Sequence, residues 1–265
     1  MYKAGNYYFL LLVVVALWTW SSRCYGQVVN IENRRIYDDT AGWSGSFDSG
    51  FSMVDNKDLL LNASLRPRVQ FKNKLHYVLF LTDWSYSKGV DRVYANAGMV
   101  HMRYALRMSG KNAERKSPWK WESYTQVQYN ELLDQRLRAL IGTGLRVKAR
   151  DKNGIRVFAG TSAFFEHEEI QTTGTFIEDV RWSNYLSWFI QPKSTFSFTG
   201  TTYYQPVFDD FSDYRFMGQY AMNFSVFKRI DFRFEYNTFF DSKPNIGVSN
   251  WLHNASFGVR VKLGE

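Results

Sequence analysis

Five carboxylates crowd one short stretch, EHEEIQTTGTFIED: Glu166, Glu168, Glu169, Glu178 and Asp179. Oxygen donors at this density are what hard cations such as Ca²⁺ or Mg²⁺ choose. The stretch lacks the ligand spacing of a known calcium loop, so a solvated acidic loop is the competing reading and no metal site is assigned. The histidines are His76, His101, His167 and His253. His253 has Ser256 nearby, but successive residues of a strand point to opposite faces, and a Ser–His–acid set would need partners from another strand. No catalytic residue and no cofactor is assigned, and an enzyme is not expected; an outer-membrane hydrolase is the less favoured alternative.

The abundant reactive type is the cation. In QRLRALIGTGLRVKAR (Gln135 to Arg150) the basic residues Arg136, Arg138, Arg146, Lys148 and Arg150 alternate with Leu137, Ala139, Ile141, Thr143, Leu145, Val147 and Ala149. A helix would scatter both sets around its circumference, so a period of two specifies a strand with one charged and one apolar face. The same alternation puts Arg66, Arg68, Arg103, Arg107, Arg156, Arg181, Arg215, Arg233, Arg260 and Lys262 on polar faces, with Asp48, Glu122, Asp231 and Glu235 as the clearest acids among them.

That pattern recurs in twelve segments from Trp43 onward, each of roughly 10 residues or more, the length that crosses a bilayer when tilted. The least regular is Leu75 to Tyr86, which carries apolar residues on both faces. Aromatic residues make up 18% of the chain, an enrichment shared by half-buried strands and membrane interfaces. The fold expected is all-β: a transmembrane, antiparallel, up-and-down β-barrel of about twelve strands. A soluble β-sandwich acting as a secreted binding module shares the alternation but turns its apolar face inward.

The connections fall into two alternating sets. One (72–74, 109–117, 150–153, 191–194, 228–229) carries ten Lys/Arg and two acids; the other (54–58, 87–92, 131–135, 166–179, 206–213, 241–249), on average longer, carries four Lys/Arg and fourteen acids. Outer-membrane barrels have short periplasmic turns and longer outer loops, so the basic set and both termini are expected on the periplasmic side.

Lys3, the apolar run Tyr7 to Leu17 and Cys24-Tyr25-Gly26 read as a signal peptide over residues 1–26, followed by a periplasmic lead-in, 27–42, and a single barrel domain, 43–265. Cleavage removes Cys24, the single cysteine of the chain, and so excludes disulfides and thiolate metal sites from the mature protein. The expected location is the bacterial outer membrane, with partners in membrane lipid and lipopolysaccharide and in the barrel-assembly machinery. Basic residues alternating along strands, without a stacking platform beside them, do not describe a nucleic-acid surface despite a net charge of +8.

GWSGSFDSGFS (Gly42–Ser52), WKWESYTQVQYNELLDQRLRALIGTGLRVKAR (Trp119–Arg150) and DVRWSNYLSW (Asp179–Trp188) resemble the domain of unknown function 481 family, a group described as salt-induced outer-membrane β-barrels of Gram-negative bacteria. The resemblance covers nearly all of the mature chain. Val54-Asp55-Asn56-Lys57 stands where the family would place a Gly-Asn turn. The resemblance implies an outer-membrane barrel of undetermined activity and supplies no catalytic residue.

With the apolar face toward lipid, the arginine-rich face lines a lumen. Rings of Arg and Lys would favour passing small anions. The same residues paired with Glu122, Asp231, Glu235 and neighbouring amides would instead fill the space, because buried charges need partners.

Overall fold

The computed structural model describes residues 41–56, 58–89, 92–108, 117–227 and 230–261; the signal segment and lead-in residues 27–40 lie outside them. Twelve strands are adjacent in space in the order they occur in sequence, each antiparallel to the next. They are β1 (Gly42–Asn56), β2 (Asp58–Lys72), β3 (His76–Gly89), β4 (Arg92–Arg107), β5 (Trp119–Asn130) and β6 (Gln135–Lys152). The second half comprises β7 (Ile155–Ile170), β8 (Phe176–Lys193), β9 (Phe196–Pro206), β10 (Tyr214–Phe227), β11 (Ile230–Asp241) and β12 (Trp251–Val261). A 3-10 turn, Glu131–Leu133, joins β5 to β6. Every segment marked by the period of two is a strand.

The sheet is sheared as a barrel wall is. A row of paired residues starting at Trp251, the first residue of β12, passes through Phe240, Phe216, Tyr204, Asn184, Thr161, Leu145, Trp121 and Leu106 to His76, the first residue of β3. The row therefore falls from one rim to the other. With ~4.8 Å between strands and ~3.3 Å per residue, this corresponds to a strand tilt of roughly 40–45°.

The sheet is also curled. Arg215 on β10 bonds Glu166 and Glu168 on β7, strands that a flat sheet would hold about 14 Å apart. Asn245, between β11 and β12, donates to the Leu133 carbonyl between β5 and β6 at 3.1 Å, from the far side of the ring. Among the described residues β1 and β12 are not paired with each other.

Polarity is inverted relative to a water-soluble domain. His101, Arg103, Glu122, Arg138, Arg146, Glu166, Arg181 and Arg215 are buried, whereas Trp43, Phe47, Val100, Met102, Trp121, Ile141, Leu145, Val180, Leu186 and Phe257 are exposed. Aromatic residues cluster toward the two ends of this outer face. Tyr204, Tyr214, Phe240 and Trp251 adjoin at the loop end, and Trp43 with Phe71 and Phe224 with Phe232 at the turn end. Between them lie aliphatic side chains such as Val100, Ile141 and Leu186, and on β10 and β11 the stacked pair Tyr220 and Tyr236; aromatic ends on an apolar wall are the layout of a bilayer-facing barrel.

β3 is ambiguous in sequence for a packing reason. Its inward residues Tyr77, Leu79 and Leu81 meet Met99 and Ala105 of β4 in a small apolar cluster on the inner wall.

Candidate functional site

The interior is organised in two charged layers with a cavity between them. At the loop end Glu166, 1% exposed, accepts from Arg138 Nε at 2.7 Å, Arg181 Nε at 2.5 Å and Arg215 Nη1 at 3.0 Å. Arg215 also donates to Glu168 at 2.9 Å and Asp241 at 2.8 Å, and Arg181 to Asp213 at 2.9 Å and Asp179 at 3.2 Å. Five strands, β6, β7, β8, β10 and β11, thereby share one lattice of guanidinium and carboxylate. Its multiple charge-assisted bonds offset the desolvation that isolated buried ions would suffer.

The second layer lies toward the turn end. Glu122 on β5 accepts from Arg103 at 3.2 Å, pairs with Arg146 at 3.7 Å, and accepts from the Tyr185 hydroxyl of β8 at 3.5 Å. Aromatic faces hold several of the cations: Arg146 lies 4.2 Å from the Phe158 centroid, Arg156 4.4 Å from Phe189, Arg103 5.3 Å from Tyr124 and Lys120 5.9 Å from Tyr77. Glycines make room for the two tyrosines. A Cβ on Gly142 would stand 2.6 Å from Tyr124 Cζ, and one on Gly160 2.1 Å from Tyr185 Cε1.

Between the layers is a cavity of about 120 Å³, lined among others by His101, Gln126, Gln128, Gln135, Tyr203, Gln205, Met217 and Phe239. At ~30 Å³ per water in the liquid it has room for a few waters. One wall carries a file of hydrogen bonds: His101 Nδ1 to Gln126 Oε1 at 3.0 Å, Gln126 Nε2 to Gln128 Oε1 at 2.5 Å, Gln128 Nε2 to Gln135 Oε1 at 2.9 Å, and Gln135 Nε2 to Glu168 Oε1 at 3.0 Å. The file joins the two layers.

The structure brings Arg103, Glu122, Arg138, Arg146, Arg181 and Arg215 together inside. Arg66 joins them on the inner wall through Asp83 at 3.3 Å, and Arg68 through a bond to Ser46. Arg107 and Arg156 share the inward register on β4 and β7.

Arg136 does not belong to the lumen. A bulge between Gln135 and Leu137 turns its side chain outward, where it is 69% exposed and lies 3.6 Å from Glu169. Lys148 and Arg233 keep the inward register and are exposed, paired with Asp151 and Glu235 respectively. The side chains of Asp231 and Arg260 lie outside the described residues.

The acidic loop is also redrawn. β7 runs through Ile170 and β8 starts at Phe176, so all five carboxylates sit on strands and alternate between faces. Glu166, Glu168 and Asp179 face in and meet the arginines, while Glu169 and Glu178 face out beside His167, with His167 Nδ1 3.0 Å from Glu178. Among the described residues no group of three His, Cys, Asp or Glu could hold a metal ion. β1 runs to Asn56, β2 starts at Asp58, β3 runs to Gly89 and β4 starts at Arg92, so these loop-side links are also shorter than the sequence suggested, and most of the contrast in length between the two ends goes with them.

Tyr185, Asp241 and Asn245 were not singled out by sequence. Strand parity identifies the first as inward, but no sequence signal places Asn245 across the mouth. His253 faces outward, hydrogen bonded to Tyr236 and Thr238 and stacked on Trp251.

Over the loop-end mouth, Lys243 donates to Asp210 and ties connection 242–250 to connection 207–213. The Lys243 ammonium, aided by Ser212, holds the Asp210 carboxyl well below the ordinary carboxylate range, and Asp210 in turn raises Lys243. With its folded pKa depressed, Asp210 contributes above its unfolded value near ~3.9, and that contribution is lost as pH falls below it. Limited proteolysis between Lys243 and Val248 is therefore expected to be slow at pH 6 and faster once pH drops below about 3, more so in high salt because the pair is exposed. A cleavage rate that does not vary with pH beyond the protease's own profile would rule out the clasp.

A solved structure, the NanC porin in a rhombohedral crystal form, is similar to this chain at 12% identity and a TM-score of 0.47, covering 82% of this chain and 100% of that one. No curated protein matches. The family model described as "Protein of unknown function, DUF481" matches residues 68–262, which include every strand that walls the cavity, and the chain belongs to that family.

Proposed function

We propose that the protein is an outer-membrane β-barrel whose narrow lumen admits small solutes with a preference for anions and is closed at rest by the loop-end lattice. The observation that carries the membrane reading is the inverted polarity of the wall. Leaving a single Phe, Leu or Ile in water forfeits roughly 1.5–3 kcal/mol, and large apolar or aromatic side chains are exposed on every strand from β1 to β9 and again on β12. A contiguous apolar band of this size needs an apolar surrounding. Export through residues 1–26, insertion by the barrel-assembly machinery and contact with lipopolysaccharide follow from this reading.

The anion preference is supported by the inner wall toward the turn end, where Arg66, Arg68, Arg103, Arg107, Lys120, Arg146 and Arg156 outnumber Asp48, Asp83 and Glu122. The small cavity and the crossed arginines support a closed resting state. We propose no enzymatic role, since His253 is engaged in an aromatic row on the outer face.

Two measurements test the proposal. Membrane-extracted protein is expected to migrate faster on a gel unheated than boiled; identical mobility would remove the barrel. In planar bilayers, brief openings of small, anion-preferring conductance are expected, and a flat trace at all voltages would leave a purely structural barrel.

A further inference from the structure

The geometry points to a binding site for a multivalent oxyanion of the phosphate class on the turn-side inner wall, built by Arg107, Lys120 and Arg146 with Arg103 beside them. This rests on the barrel reading above and names the ligand of its lumen.

Arg107 on β4 is register partner to Lys120 on β5, and Lys120 is register partner to Arg146 on β6. Three cations thus stand side by side on three neighbouring strands, all turned inward. Like charges placed directly opposite each other destabilise a sheet, so an arrangement serving stability alone would interleave acids. Glu122, two positions along β5 from Lys120, pairs with Arg103 and Arg146, and Asp151 of β6, register partner to Arg156, pairs with Lys148. Arg107 pairs with no acid among the described residues.

The cations are held in place. Arg146 rests on Phe158 and is 4% exposed, Lys120 reaches over Tyr77, and Arg103 lies over Tyr124. Guanidinium groups fixed by aromatic stacking offer planar paired donors to tetrahedral oxyanions, and an ammonium adds a point charge. An anion carrying two or more charges would relieve the repulsion along the row, whereas chloride would relieve little of it. The row lies at the turn end, on the opposite side of the cavity from the lattice around Glu166, so the ligand would enter from the turn end and stop beneath that lattice.

The test uses full-length folded protein in detergent, first shown to be a barrel by heat-modifiable migration, so that a failed fold is separated from a failed site. Pyrophosphate is titrated by calorimetry against a constant chloride background. Saturable binding is expected, weakened at least tenfold by Arg107→Gln and by Lys120→Gln and unchanged by Arg233→Gln. Arg107→Gln should at the same time keep or raise the urea midpoint of unfolding, a pairing that a residue with a purely structural role would not give.

Absence of saturable binding by wild-type protein that migrates as a barrel would overturn the proposal. So would equal affinity in wild type and Arg107→Gln, or a fall in the urea midpoint of that variant. Phosphatidic acid in the micelle tests the other source of phosphate: competition with pyrophosphate would place the site on the outer face and likewise overturn the assignment, and no competition is expected.

Discussion

Ile141→Arg is expected to destabilise the folded protein in lipid vesicles by roughly 2–4 kcal/mol, the cost of a cation on the lipid face near mid-span. Ile141 is 65% exposed and sits near the middle of β6, paired with Thr125 and Phe165. In a water-soluble domain the same substitution at so exposed a position would be neutral. The sign of the experiment therefore tests the surroundings of the strand as well as the residue. Arg136→Gln, five positions away and also on the outer side, removes only an exposed pair at the rim and should stay within about 0.5 kcal/mol. Urea titrations of both variants in vesicles, read by tryptophan fluorescence, give the comparison, and equal tolerance would show that the outer face of the wall meets water and not lipid.

Glu166→Gln is the second large effect. The substitution leaves Arg138, Arg181 and Arg215 converging on an amide that cannot neutralise them, and removal of one partner from a buried ionic group typically costs about 3–5 kcal/mol. Glu168, Asp213 and Asp241 still hold part of the charge, which places the expected loss at the lower end of that range. The same change loosens the closure of the lumen, so conductance in planar bilayers should rise while the urea midpoint falls. Glu169→Gln, on the outer side of the same strand, is the control and should move neither reading. Unaltered stability in Glu166→Gln would show that the lattice does not hold the loop end together.

The wall was largely legible from sequence because its rule is local. Parity alone assigned Trp121 outward and Glu122 inward, or Ile141 outward and Arg138 inward, without any knowledge of the neighbouring strand. The rule fails where the ladder slips. Arg136 has the parity of its basic neighbours, but one extra residue at the Gln135/Leu137 bulge reverses it, and a bulge leaves no trace in residue types.

Hydropathy also misled at the ends of strands. Glu166, Glu168, Glu169, Glu178 and Asp179 look like a solvated loop because charge is read as exposure, yet a strand can carry charge on both faces when one meets arginines and the other meets headgroups or water. The partnerships that define the interior were beyond sequence altogether. Arg215 meets Glu166, 49 positions away in the chain and across the lumen, and Asn245 reaches a carbonyl 112 positions away. Such pairs depend on the curvature of the whole sheet.

The glutamine file along the cavity wall has a directional consequence. Glu168 can only accept, so Gln135 must offer its amide hydrogen, and each glutamine behind it is obliged to point the same way. The obligation ends at His101, whose Nδ1 must then bear the hydrogen. A carboxylate thus selects the tautomer of an imidazole on another strand without touching it. Inverting one amide alone would set oxygen against oxygen on one side and hydrogen against hydrogen on the other, so the file reorients as a unit or keeps its sense.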